Sequence, residues 1–282
     1  MKCCSSTTSH CWEDNNMIIL AIHGSMRKGN TYRLAKEVIS RISSYPDVKI
    51  VEFGVADLNL PFCCSCHICF NEGEEYCPHS DSLRDLREAL LECDGIILSG
   101  TTYMWSLNGA MKNLLDHFAY LFHRPVLFGK KGMVIATSAG NGEKGVAKYL
   151  KGVLGQWGVN GAIALTQNTK AHLMQGGGDV FSSTESAEID RATRKFYELI
   201  KSKKPIPPSA KSIAVHNAFR VSSLSEFAQY GRDTEFWHQN GYVDKPYPVR
   251  AGFFKAFIGA FVFSAAKNAT AALGRIYKKK IK

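Results

Sequence analysis

The sequence predicts a doubly wound α/β domain on a five-stranded parallel sheet, followed by a C-terminal extension of helical and irregular character. Three observations lead there. Short apolar runs recur along the chain, stretches with apolar positions at helical spacing separate them, and a proline-punctuated segment, KKPIPP at 203–208, closes the pattern. Apolar runs that do not alternate belong to strands buried on both faces, and strands separated by helices form parallel sheets through right-handed crossovers.

Taken in order, MIILAIHG (17–24) is the first strand and TYRLAKEVISRI (31–42) the first helix. KIVEFGVA (49–56) is the second strand, SLRDLREALLEC (82–93) a helix, GIILSG (95–100) the third strand and NGAMKNLLDHFAYLF (108–122) the helix after it. KGMVIATSAG (131–140) and GAIALTQ (161–167) are the last two strands, each followed by a helix, VAKYLKGVLGQWG (146–158) and SAEIDRATRKFYELIKSK (186–203). The period changes between strand and helix at each glycine or small polar cluster. The expected division is a leader at 1–16, read as disordered, a sheet domain at 17–204 with a cysteine-rich insertion at 61–80, and an aromatic-rich extension at 205–282 ending in a basic amphipathic helix.

Of the 282 residues 45% are hydrophobic and 21% charged, which describes an ordinary soluble globular protein and excludes wholesale disorder or a multi-span membrane protein. The net charge is +10, but seven cations and no anion fall in residues 253–282, leaving +3 for the rest. Basicity confined to a tail argues against a nucleic-acid partner, which needs cations spread along a surface. Nine cysteines follow a leader, MKCCSSTTSHCWEDNN, that lacks an apolar signal segment, so a reducing cytoplasm and metal or redox use are expected rather than disulfides. Cys3, Cys4 and Cys11 read as incidental thiols and Cys93 as a small buried apolar residue.

The loop GSMRKGNT (24–31) fits the frame G-x-x-x-x-G-K-[ST] except that Asn30 stands where the lysine belongs. That lysine supplies positive charge to the β- and γ-phosphates, so its absence speaks against a nucleoside triphosphate. A single terminal phosphate needs less: the hydroxyls of Ser25 and Thr31, amides of the loop including Gly29, the Asn30 side chain and the Arg27 guanidinium suffice. Taken alone, the loop also reads as a generic Gly-rich turn without a ligand.

This loop resembles the G-S-P-R-x-G-N/S-T segment of the NAD(P)H-dependent FMN reductase and iron–sulfur flavoprotein family, which is flavodoxin-like, with Met26 in place of the usual proline. Two further loops carry the resemblance. TTYMWSLNGAMKNLLDH (101–117) is similar to the family's S-P-x-Y-x-x-S/G block, Tyr103 matching the aromatic that borders the flavin and Thr101 and Thr102 departing from Ser-Pro. TSAGNGEKG (137–145) matches the small-residue loop on the pyrimidine side. The resemblance spans roughly 17–200 and implies that Thr101, Thr102, Tyr103, Met104, Trp105 and Ser106, with Ser138, Ala139, Gly140 and Gly142, border FMN. It also implies NAD(P)H as co-substrate and no catalytic side chain, the chemistry being the cofactor's.

The insertion reads Cys63-x2-Cys66-x2-Cys69-x7-Cys77-Pro78. Two successive x2 spacings let a short loop offer three thiolates to a cubane, with a fourth arriving from further on. A zinc site and metal-free thiols are the competing readings. Cys64 falls outside the frame, and His67 and His79 read as solvent-facing. The family's iron–sulfur flavoproteins carry a segment of this kind after the second strand, which implies a [4Fe-4S] cluster on Cys63, Cys66, Cys69 and Cys77. Two functions follow from the resemblance: an NAD(P)H oxidoreductase serving a small-molecule or protein electron acceptor, or an electron carrier between ferredoxin-like donors and an unknown acceptor. A homo-oligomer, as a dimer, is expected.

In the tail, the uncharged stretch 256–266 is too short to span a bilayer. It either packs its phenylalanines on protein or lies at a membrane interface with its lysines near anionic headgroups, which would make a cytoplasmic protein peripheral to the membrane. EFWHQNGYVDKPYPVR (235–250) reads as a cover for the flavin or a dimer contact.

Overall fold

A computed structural model describes residues 16–169, 181–224, 228–245 and 247–280. Its sheet is formed by β1 (Met17–His23), β2 (Val48–Gly54), β3 (Gly95–Tyr103), β5 (Lys131–Ser138) and β6 (Ala162–Asn168), in the order β2-β1-β3-β5-β6 and parallel throughout. The two-residue strand β4 (Ser106–Leu107) folds back antiparallel on the end of β3. Counted over the parallel strands alone this is the 2-1-3-4-5 order of flavodoxin-like folds, in which the chain reverses direction across the sheet between β1 and β3. The expectations for residues 1–16 fall, Asn16 excepted, outside the described residues.

Strand residues alternate between two packed faces. Leu20, Ile22, Ile96, Leu98 and Val134 meet Leu86 and Leu90 of α3 (Arg84–Glu92), Met111 and Leu114 of α4 (Gly109–His117), and Leu150 of α6 (Glu143–Gln156). Ile19, Ala21, Ile97, Met133 and Ile135 meet Leu34 and Val38 of α1 (Asn30–Ile42), and Phe196 and Ile200 of α7 (Ser183–Lys201). Burial on both faces is why these strands carry no polar alternation. Cys93 is buried, as its helical setting predicts.

The helix expected at 108–122 is two helices. α4 stops at His117, where Phe118 N–H and Ala119 N–H donate to carbonyls three residues back (3.2 Å each), and α5 (Tyr120–His123) starts afresh. The break turns Phe118 into the core against Trp157, with ring centroids 5.8 Å apart. Helix α6 begins three residues earlier than the apolar pattern indicates, because Gly142, at φ 102°, makes the turn that starts it. The extension is also more regular than its letters suggest. α8 (Ala210–Ser222), whose Ser212 N–H donates to the capping Ser209 hydroxyl at 3.0 Å, and α9 (Gly231–Gln239) precede the terminal helix α10 (Phe253–Lys280).

Candidate cofactor site

At the carboxyl end of β1, Gly24 N–H donates to Ser99 O at 2.9 Å, and a Cβ at Gly24 would stand 2.4 Å from that same oxygen. Only glycine lets the chain leave here between β1 and β3. The following loop runs into α1, whose N-cap Gly29 makes no side-chain capping bond and whose first turn contains no acidic residue. Its amide donors and positive dipole end are thus left for an external anion. They open on a cavity of about 790 Å³ lined by residues 25–31 and Arg33, by 101–103 and 108–110, and by 137–139 with Thr169. In open α/β sheets, ligands bind at this reversal point, outside the carboxyl ends of the strands.

Four hydroxyls join the loops. Ser25 Oγ lies 2.9 Å from Thr101 Oγ1, Thr101 Oγ1 2.9 Å from Thr31 Oγ1, and Thr31 Oγ1 2.6 Å from Thr137 Oγ1. Three links consume three of the four hydroxyl protons, so one remains to be donated outside the chain. Thr102 Oγ1 is buried and has no hydrogen-bond partner among the described residues. A free proton, an orphaned hydroxyl, an open helix N-terminus and the cations Arg27, Lys28 and Arg33 fit an entering phosphate ester.

Ser25, Arg27, Gly29, Asn30, Thr31, Thr101, Thr102, Tyr103, Ser138 and Ala139 stand together on the cavity wall. Met104, Trp105, Ser106, Gly140 and Gly142 stand outside it. Met104 and Trp105 form the two-residue turn between β3 and β4, with φ of 46° and 62°, and this left-handed turn carries both side chains to the surface. Gly142 serves close packing, since a Cβ there would come 2.9 Å from Thr102 Cγ2 and 3.3 Å from Trp105 Cα. Among the described residues, none of the extension lines the cavity. In the 235–250 segment, Trp237 is buried and donates its indole N–H to His123 O at 2.9 Å, so its aromatic side packs on α5 and the extension.

Asn108 and Thr169 escape a reading of the sequence. Asn108 Nδ2 donates to Gly24 O at 2.6 Å while its Oδ1 accepts from Thr101 N–H at 3.3 Å, which ties the first two loops together. Thr169 donates its N–H (2.7 Å) and its hydroxyl (3.0 Å) to Ser138 O, fixing the third loop from the end of β6. An Asn-Gly pair before a helical pattern is the only signal the sequence carries for the first; nothing marks the second.

Residues 17–171, more than half of the chain, match the NADPH-dependent FMN reductase family. The chain belongs to that family. This FMN reductase homologue is 25% identical over 234 residues to an iron-sulfur flavoprotein of Clostridioides difficile (strain 630), covering 80% of this chain and all of that protein. It is 29% identical over 123 residues to an iron-sulfur flavoprotein of Methanocaldococcus jannaschii, covering 43% of this chain and 61% of that one. Among solved structures, an NADH:FMN oxidoreductase in its apo form superposes with a TM-score of 0.51 at 19% identity, covering 68% of this chain and 95% of the other. RosB with a bound riboflavin-phosphate intermediate superposes with a TM-score of 0.52 at 13% identity, covering 84% and 92%. At those identities the structural likeness speaks for the fold.

The cysteine-rich segment of this FMN reductase homologue crosses from β2 to α3. Asn113 of α4 clamps it, accepting from Cys63 N–H at 3.0 Å and donating to Pro61 O at 3.0 Å. Cys63, Cys66, Cys69 and Cys77 line one cavity of about 150 Å³, together with Cys64, His67, His79 and His117. Among the described residues, no group of three or more His, Cys, Asp or Glu side chains is gathered as one metal ion would require. The donor chemistry nevertheless suits iron–sulfur ligation, in which each iron takes its own thiolate. Burial pushes the Cys69 thiol up to about 12, against the pull of Arg124 and with the neighbouring cysteines adding to it, so a metal has to displace its proton.

Arg124, 3% exposed, holds this segment to the extension. Its guanidinium donates to Cys69 O at 2.9 Å and pairs with Glu74 at 2.6 Å and with Asp233 of α9. Asp233 also meets His123 Nδ1 at 2.7 Å, and Phe70 stacks on the His123 ring with centroids 4.3 Å apart. Among the described residues no helix is long and apolar enough to cross a membrane.

Proposed function

We propose that this chain is an FMN-dependent oxidoreductase that takes hydride from NAD(P)H and passes electrons to a small-molecule or protein acceptor. The observation that carries the reading is the meeting of the uncapped α1 N-terminus with the Ser25–Thr101–Thr31–Thr137 hydroxyl chain on one cavity at the sheet's reversal point. FMN, when bound, supplies both hydride acceptance and electron release. The chain's residues bind and orient. Ser25, Arg27, Asn30 and Thr31 hold the phosphate, Tyr103 and the Ser138–Ala139 backbone border the ring, and Asn108 keeps the first two loops in register. No side chain is needed as nucleophile or general base. NAD(P)H as donor is suggested by the family's description. In the test, anaerobic protein reconstituted with FMN is mixed with NADPH or NADH. Rapid loss of the oxidised flavin absorbance with either is expected, and a flavin that stays oxidised with both overturns the reading.

A second reading, an iron–sulfur flavoprotein electron carrier, is favoured by the four thiols on one cavity and by the names of the curated relatives. Cys63, Cys66, Cys69 and Cys77 would hold the cluster. Anaerobic purification should then give roughly four irons and four acid-labile sulfides per chain. Protein with flavin but negligible iron rules it out.

A further inference from the structure

The terminal helix is apolar on two sides, and only one is covered. Gly259 lies on α8, where a Cβ would come 2.8 Å from Ile213 Cγ2 and 2.9 Å from Asn217 Nδ2. On the same side the Arg220 guanidinium sits 4.2 Å above the Phe263 ring, and Lys255 Nζ donates to Pro208 O at 2.9 Å. Phe257 is only two residues from Gly259 but roughly 200° round the helix. It belongs to a stripe of Phe253, Phe254, Phe257 and Phe261 that is 92%, 74%, 64% and 67% exposed. Folding has covered the Gly259 side and left four large aromatics outside.

Charge selects the occupant. From Phe253 to Lys282 the chain holds seven cations and no anion, four of the cations in the last five residues. A second copy seated on the stripe would bring the same acid-free helix and no carboxylate to pair with these lysines. An anionic lipid surface supplies both things the helix lacks, an apolar layer for the phenyl rings and negative headgroups for the cations of its sequence. The helix is not built to cross: no window of it, among the described residues, is apolar enough. We infer that α10 is an interfacial anchor that lays Phe253, Phe254, Phe257 and Phe261 into the face of an anionic bilayer. The electron-transfer site then works beside a membrane surface. The inference rests on the extension alone and stands whether or not the chain takes hydride from NAD(P)H.

The test uses the full chain, loaded with FMN, sedimented with vesicles of phosphatidylcholine alone or with about 30% phosphatidylserine. Binding at least about tenfold tighter to the anionic vesicles, and weakened by about 0.5 M salt, is expected. Two variants keep the result specific: Phe257→Ser with Phe261→Ser, on the exposed stripe, and Lys278→Gln with Lys279→Gln and Lys280→Gln. Each should lower vesicle affinity at least about tenfold, while flavin content and far-ultraviolet circular dichroism stay as in the parent. Absence of sedimentation with anionic vesicles overturns the inference, as does binding that neither variant weakens. A lipid-free dimer in analytical ultracentrifugation that Phe257→Ser with Phe261→Ser turns into a monomer also overturns it, since the stripe is then a protein interface.

Discussion

Replacing Thr31 by valine probes the candidate cofactor cavity through one of the hydroxyls that line it. Thr31 is 2% exposed, and its hydroxyl is an interior link of the chain, bonded to Thr101 Oγ1 at 2.9 Å and to Thr137 Oγ1 at 2.6 Å. Valine keeps the β-branched shape, so no cavity opens and the loss is the two hydrogen bonds, about 0.5–1.5 kcal/mol each. Apo protein should therefore lose about 2 kcal/mol, a Tm drop of about 4–8 °C for a chain of this size. Thr137→Val breaks only one link and should cost about half as much. The hydroxyl also stands at the first residue after Asn30 in the turn proposed to hold the FMN phosphate, and a bond to a charged oxygen contributes about 1.5–3 kcal/mol. FMN affinity should fall by about tenfold to a hundredfold. Differential scanning calorimetry and fluorescence titration of FMN measure the two quantities on one sample. Native FMN affinity in a destabilised Thr31→Val protein would refute the argument, because the hydroxyls would then hold loops together without serving a phosphate.

Other sites give independent checks. Arg124→Met leaves Asp233 and Glu74 without their buried partner, and urea titration should show a loss of about 3–5 kcal/mol. His216 lies between Trp237 and Tyr247, with ring centroids at 4.6 and 4.9 Å, and burial, helped by Arg220, pushes its imidazole down to about 3. The unfolded chain takes that proton near pH 6.5 and the folded chain does not, so stability should fall as pH drops from about 6.5, by roughly 3 kcal/mol at about pH 4. Denaturant curves across that range should flatten in His216→Leu. Cys93 is 1% exposed, and burial pushes its thiol up to about 12, whereas Cys64 is exposed. Iodoacetamide at neutral pH should label Cys64 in the native protein and Cys93 only in denaturant, as peptide mass spectrometry would show.

The letters alone determine the layering. Short continuous apolar runs such as MIILAIH, alternating with segments of helical spacing, point to strands covered on both faces and joined by parallel crossovers. They also single out the loop at 24–31 as the candidate phosphate site, because Gly24, Gly29 and the missing lysine at Asn30 are local facts of backbone freedom and charge. The cysteine spacing is local in the same way, and Cys63, Cys66, Cys69 and Cys77 do share a cavity. What the letters leave undetermined is whatever depends on two distant segments arriving side by side. Thr31 meets Thr101 and Thr137 across 70 and 106 residues, and Asn108 meets Gly24 across 84. Each encounter exists only because the strand order puts β3 between β1 and β5, and hydrophobic period says which face is buried without naming the neighbour. Arg124 is the clearest instance. In the sequence it is one more cation before a proline, and only the tertiary fold, by enclosing it between the cysteine segment and α9, turns it into the joint between them. Periodicity records how a segment divides itself between protein and water; long-range polar pairing is settled when the packed elements decide which side chains share a desolvated space.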